Sequence, residues 1–367
     1  MTSLGEHEQT AVQLTGPSGG RCRRRWRELV SIAAAGTLAL AAGCSSGGSS
    51  GDGEPGGLKD VTVITDVLTT VYTPLYTAEK LGFFEKHGLN VQINTLESGA
   101  TITAVMQSGS VDIAASGAIT QALAVKQGAS FIAIASEGNA SPEVCARPGW
   151  IQQHNLTSTT PIEQIFGAFR GARFGVTGIG GTPDLLMQYL VRTYGNLDPA
   201  QDMETIALGS PAGVATAFKQ EAIDVTLASP PQCEALVAAG TAQILLKPSQ
   251  IPAFQDLPYA VIYSTKSYIE ENPDVARAFA ASIVEALQYA HANPDDVIKN
   301  VLQPYFPQTP VETLSAALND VILPQMPKDG RMSKEGWDKV ADVVGPVSGN
   351  PLDTTEGSLW TNEYLPG

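Results

Sequence analysis

Pro74-Leu75-Tyr76-Thr77-Ala78-Glu79-Lys80-Leu81-Gly82-Phe83-Phe84-Glu85-Lys86-His87-Gly88-Leu89-Asn90-Val91 decides the fold. The stretch reads as one helix over 74–86 that passes directly into a strand. Proline suits a first helical turn, where its missing N–H has no partner to lose. Ala78 lets the helix approach a sheet, Leu81 and Phe84 seat it on a core, and Gly82 is expected to permit close packing. Gly88 is expected to end the helix with a left-handed turn. Val91-Gln92-Ile93-Asn94 then alternates as a strand does.

The alternation extends in both directions. Val61-Thr62-Val63-Ile64-Thr65 is short and β-branched, a buried strand. Downstream the spacing predicts a helix over 102–108, a strand over 111–115, a helix over 119–127 and a strand over 131–135. The pattern then restarts with a strand over 173–176 and the loop Gly178-Ile179-Gly180-Gly181. Thr182 is expected to cap the following helix, with Pro183 at its first position. Strands over 205–208, 225–228, 243–246 and 259–263 follow, with helices over 212–220 and 232–239 between them. From Pro273 on the chain reads as helical, including 276–292 and 310–323. Strands alternating with helices mean an α/β fold with largely parallel sheets, and two successive runs mean two lobes.

The quoted stretch resembles the first-helix signature of the periplasmic-type binding proteins of the nitrate/sulfonate/taurine and thiamine-precursor family. Gly99 before a helix, Gly109-Ser110-Val111-Asp112-Ile113, Gly171-Ala172-Arg173-Phe174-Gly175-Val176 and Gly180-Gly181-Thr182 agree with that family in order. Glu221-Ala222 stands where the family has a glycine. The resemblance spans roughly residues 60–270 and implies a type II periplasmic-binding-protein fold. Lobe one would hold 59–140 plus 258–367, lobe two 141–257, with two crossings as a hinge and a ligand cleft between. It further implies capture of a small polar organic solute by a monomer without cofactor or metal. The solute would pass to an ABC importer, a membrane permease with its cytoplasmic ATPase.

Such ligands bind at the carboxyl ends of strands. That rule places Asp66, Thr69, Thr70 and Tyr72 after the first strand, Ser98 and Gly99 after the second, and Ser116 and Gly117 after the third. In the second lobe it places Gly180, Gly181 and Thr182 at a helix start and Ser229 after the 225–228 strand. Hydroxyls and free backbone N–H groups suit oxygen or nitrogen atoms of a solute, and Tyr72 could wall it. The alternative for each hydroxyl is a plain helix cap, and for Tyr72 a packed surface aromatic. An oxyanion would call for Arg or Lys in these loops, and none is there. Asp66 and, nearby, Glu97 and Glu137 are acidic, and Asp184 in a first helical turn would oppose an anion. The balance leans to a neutral or amine-bearing solute, unless Arg147 or Arg170 reaches in.

Toward the amino terminus, Arg21, Arg23, Arg24, Arg25 and Arg27 precede an apolar run over 29–43 that ends in Ala41-Ala42-Gly43-Cys44. The run is shorter than the roughly 20 residues a spanning helix needs. Small residues ahead of a cysteine resemble a bacterial lipoprotein signal, although Ala41 stands where that pattern favours leucine. The resemblance implies a signal over 1–43, lipid on Cys44, a Gly/Ser-rich tether over 44–57 and a body anchored on the outer face of the cytoplasmic membrane. A membrane anchor and an ordinary secretory signal are the alternatives, and the general and twin-arginine export routes both stay open.

Without residues 1–43 the chain carries 17 basic and 34 acidic residues, a surface that repels nucleic acid and anionic lipid. Contact with the membrane is then through the lipid alone. Cys145 and Cys233 remain in the body, either as a disulfide or as two separate thiols. His87, His154 and His291 lack metal-ligand spacing, and from Val61 on there is neither a Gly-x-Ser-x-Gly elbow nor a phosphate loop. Thiamine-pyrimidine synthases resemble the same signature but carry a cysteine-rich motif absent here, which argues against an enzyme. A lipoprotein that senses its ligand and signals to a membrane receptor would use the same fold.

Overall fold

The computed structural model describes residues 57–96 and 99–367. The expected signal, Cys44, the tether up to residue 56, Glu97 and Ser98 lie outside the described residues.

The chain builds β1 (Lys59–Thr65), β2 (Leu89–Thr95), β3 (Ile113–Gly117) and β4 (Phe131–Asn139). It then builds β5 (Glu143–Ala146), β6 (Arg173–Val176), β7 (Glu204–Ala207), β8 (Val225–Ala228) and β9 (Gln243–Leu246), and finally β10 (Pro258–Thr265). Two five-stranded sheets result, ordered β2-β1-β3-β10-β4 and β7-β6-β8-β5-β9. β10 pairs antiparallel with β3 and β4, and β5 antiparallel with β8 and β9. The expectation of largely parallel sheets is corrected accordingly: half of the strand pairings are antiparallel. β5 and β10 each enter a sheet just after the chain has crossed from the other one, and so run against their neighbours. The crossings, 140–142 and 247–257, touch where the Ala140 N–H donates to the Leu257 carbonyl at 2.9 Å.

Six helices position the cleft: α1 (Thr73–Lys80), α2 (Ala118–Lys126), α3 (Thr182–Thr193), α4 (Gln232–Ala238), α5 (Pro273–Ala292) and α6 (Lys334–Val344). The helix expected over 74–86 is broken. α1 stops at Lys80, Gly82 sits at φ 73°, and the chain resumes helical over Phe83–Lys86. A Cβ at Gly82 would meet nothing nearer than a Glu85 oxygen at 3.7 Å, so the glycine serves the left-handed backbone and not close packing. After the break Phe84 is buried against Phe279 of α5 with ring centroids 4.8 Å apart. Phe83 meets Tyr289 at 5.8 Å, and Tyr76 stacks on Tyr305 at 4.0 Å. Glu285 closes the contact through Lys86 at 2.6 Å and His87 at 3.1 Å.

The helix expected over 310–323 begins as Val311–Ala316, widens into a π-helical turn over Ala317–Ile322 and ends as Leu323–Gln325. α6 packs on both α2 and α3, and so on elements of both sheets. The carboxy-terminal segment covers the β4 edge: Ala133 donates to the Leu359 carbonyl and accepts from the Thr361 N–H, each at 2.9 Å. The strand β5 and the helices Pro148–Gln153 and Ile162–Gly167 were not anticipated.

One apolar core runs through both sheets, and a smaller one lies on one face of the second. β5 shows the two-residue period: Val144 and Ala146 enter the larger core, Cys145 the smaller. There Cys145 and Cys233, both fully buried, are joined by a disulfide with Cα atoms 6.0 Å apart and a separation of 88 in sequence. Closing so long a loop removes freedom mainly from the unfolded chain. Replacing both cysteines with serine is expected to lower stability by about 2–4 kcal/mol, read as an earlier denaturant midpoint. An unchanged midpoint in oxidising buffer would show that the bridge contributes nothing.

Candidate functional site

β1, β3 and β4 run the same way, so their carboxyl ends share one edge of the first sheet. At that edge the half-buried Asp66 accepts the Tyr72 hydroxyl at 2.6 Å and the Ser116 hydroxyl at 2.8 Å. Burial pushes the Asp66 carboxyl up, against the pull of those two donors. Tyr72 is buried by this contact and lines the cleft as packed structure, not as a free wall.

The second sheet meets this edge at three places. The hydroxyls of Thr69 and Thr70 donate to the Pro230 carbonyl at 2.8 and 2.9 Å, and the Thr70 N–H reaches the same oxygen at 3.3 Å. Ser229 lies 3.0 Å from the Tyr259 hydroxyl of β10. Thr120 of α2 and Thr182 of α3 share a hydrogen bond of 2.9 Å. Gly117 makes the last contact possible, because a Cβ there would stand 2.5 Å from the Thr182 hydroxyl.

Thr182 is therefore not the cap it was expected to be. Gly181 occupies the N-cap position, and the Thr182 side chain turns across the cleft. Gly180 donates its N–H to the buried Asp184 at 2.8 Å, and Gln188 donates to the other Asp184 oxygen at 3.1 Å. Asp184 thus holds the loop in front of α3. Gly99 opens the helix Gly99–Gln107, while Ser98 lies outside the described residues. The structure brings Asp66, Thr69, Thr70, Tyr72, Ser116, Gly117, Thr182 and Ser229 to one interface, with Gly180 and Gly181 at its rim.

Glu137 in β4 is buried at 1% exposure. Its Oε1 accepts the Leu75 N–H of α1 at 3.0 Å, and its Oε2 has no partner among the described residues. Burial pushes its carboxyl up to about 8. It lines a cavity of about 10 Å³ with Val71, Asn139, Ser141, Ala260 and Gln325 among its neighbours. A second acidic pair sits at the matching edge of the second sheet, where Glu143 lies opposite Ala228. Burial, then the charge of Glu234, pushes Glu143 up to about 8, and burial raises Glu234 to about 7.

The arginines do not reach this region. Arg147 pairs with Glu221 at 2.9 Å and Asp224 at 2.8 Å, beside Arg173, which meets the same Asp224 at 2.7 Å. Burial opposes ionisation of Asp224, but hydrogen bonds from Arg173 and Arg147 hold it down to about 2. Asp224 precedes β8, at the end of the sheet away from Ser229. Arg170 is engaged by Asp202.

Glu137, Thr120 and Tyr259 were not among the expected site residues. Glu137 had a signal, since a lone acid within the apolar run Phe131–Asn139 is costly unless it has a task. Thr120 and Tyr259 had none, because their partners lie 62 and 30 positions away.

Residues 62–302 match the model of the NMT1-like family. A Bacillus subtilis (strain 168) chain, named only as a binding protein, is 25% identical over 264 residues, covering 71% of this chain and 75% of its own length. The taurine-binding periplasmic protein of Escherichia coli (strain K12) is 27% identical over 301 residues, covering 80% and 85%. The solved periplasmic nitrate-binding protein of Synechocystis PCC 6803 superposes with a TM-score of 0.60 at 19% identity, covering 71% of this chain and 69% of that one. The two-sheet architecture is that of the periplasmic binding proteins, and with two thirds of its length matched the chain belongs to the NMT1-like family.

Proposed function

We propose that the chain is an exported solute-binding lipoprotein and not an enzyme. It captures a small polar organic solute between lobes formed by 59–140 with 258–367 and by 141–257. It then hands the solute to an ABC permease driven by a cytoplasmic ATPase. The observation that supports this most is the set of direct bonds across the cleft, Thr69 and Thr70 to Pro230, Thr120 to Thr182, and Ser229 to Tyr259. All join strand ends and helix starts of opposite sheets, and along the chain the two sheets are linked by two short crossings. Such an arrangement opens by rotation about the crossings and closes when a solute contacts both sides. The names of the relatives, one a binding protein and one a taurine-binding periplasmic protein, support the class.

Closure is open to direct test at Gly117. Gly117→Ala places a methyl group 2.5 Å from the Thr182 hydroxyl, an overlap expected to hold the lobes apart and weaken solute binding about tenfold. Paired spin labels, one per lobe, should report a longer distance for this variant. The double variant Gly117→Ala/Thr182→Ala should recover part of the closure. Identical distances in parent and Gly117→Ala would sink the hinged-capture reading. The anchor is tested separately: Cys44→Ser is expected to move the protein from the detergent phase to the aqueous phase, and unchanged partitioning would refute the lipid.

A further inference from the structure

We infer that Cys145 and Cys233 are positioning residues for closure: their disulfide holds the loop 229–231 of the second lobe where the first lobe grips it. The inference deepens the capture reading and rests on it.

The loop 229–231 carries two of the three contacts across the cleft. The Pro230 carbonyl accepts the Thr69 and Thr70 hydroxyls at 2.8 and 2.9 Å and the Thr70 N–H at 3.3 Å. Ser229 lies 3.0 Å from the Tyr259 hydroxyl. β8 ends at Ala228 and α4 begins at Gln232, so the loop takes the position its two ends impose. One end is fixed, because β8 lies between β6 and β5 in the sheet. The place of the Pro230 carbonyl therefore turns on α4.

Packing alone is a weak hold on α4. The helix has seven residues, of which only Cys233 and Leu236 are buried. Val237 faces solvent at 41% exposure. Both carboxyl oxygens of Glu234 are buried without a hydrogen-bond partner among the described residues, which counts against the helix staying where it is. A helix of two turns does not persist without tertiary support. The disulfide supplies that support at the point that matters. Cys233 is the second residue of α4 and follows Pro230 by three positions, whereas Leu236 lies one turn further on.

The other end of the bridge is equally placed. Cys145 sits inside β5, opposite Thr226 of β8 on one side and Ile244 of β9 on the other. β5 is the strand that begins at Glu143, directly after the first crossing. The bridge thus ties the gripped loop to the strand that leaves the hinge, and the two turn as one body. Without it α4 is free to shift on the sheet while β5 turns. Three donors need one carbonyl oxygen at hydrogen-bond distance, and such bonds weaken steeply when distance or angle drifts. Loss of the bridge is therefore expected to loosen closure as well as to lower stability.

The test is the distance between paired spin labels, one per lobe, in the purified full chain under conditions where every variant is folded by circular dichroism. A bridge that only stabilises the fold leaves this distance unchanged in folded molecules. Cys145→Ala/Cys233→Ala is expected to lengthen it toward the value of Gly117→Ala, whose lobes are wedged apart. Leu236→Ala, with the bridge intact, is expected to keep the parent distance, and this variant decides if the double alanine variant does not fold. A parent-like distance in Cys145→Ala/Cys233→Ala, or a lengthened one in Leu236→Ala, would overturn the inference. Capture would still stand in either case if Gly117→Ala lengthens the distance. One distance shared by the parent, Gly117→Ala and the double alanine variant would overturn the inference and the hinged capture together.

Discussion

Each sheet is completed by a strand that reaches it across the hinge, and the rest of the structure follows from that exchange. β5 is the first strand the chain makes after leaving the first sheet, and β10 the first after returning. Both insert next to the last parallel strand of their sheet and run against it. The two crossings therefore start and end beside the strands whose carboxyl ends carry Ser116, Gly117 and Ser229. A rotation about the crossings moves those ends relative to one another and leaves both sheets intact. The bond from Ala140 to Leu257 ties the crossings together, so they act as one hinge.

The exchange also explains why acids could accumulate at the cleft. Glu137 stands just ahead of the first crossing and Glu143 just after it. Both are buried, and both have carboxyls raised chiefly by that burial. Such burial destabilises the ionised form, with a cost that is absent below the ordinary carboxylate range and complete above about 8.

The order of elements was legible because it rests on local period. The run from Pro74 to Val91 carries its own helix, stop and strand, and Gly88 at φ 84° takes the left-handed turn expected of it. Gly82 was misjudged because Phe83 and Phe84 continue the helical spacing across a break that only backbone angles reveal. β5 escaped notice because four residues, one of them Glu143, are too few to show a period; its pairing with β8 defines it. The cleft was legible as a set of strand ends and not as a set of contacts. Thr69 and Thr70 find Pro230 some 160 positions away, and Thr182 exchanges a capping role for a bond to Thr120. Local sequence favours the cap, and only the tertiary structure brings the competing partner.

The closing bonds are few and individually weak, and that suits a binding protein. Three donors converge on the single Pro230 carbonyl oxygen, which has two lone pairs to share. With about 1 kcal/mol net for a typical bond, the set contributes at most a few kcal/mol, less the cost of ordering six side chains. A ligand shifts the balance between open and closed forms only by what it gains in the closed form alone. A more tightly bonded cleft would close without cargo and release it slowly.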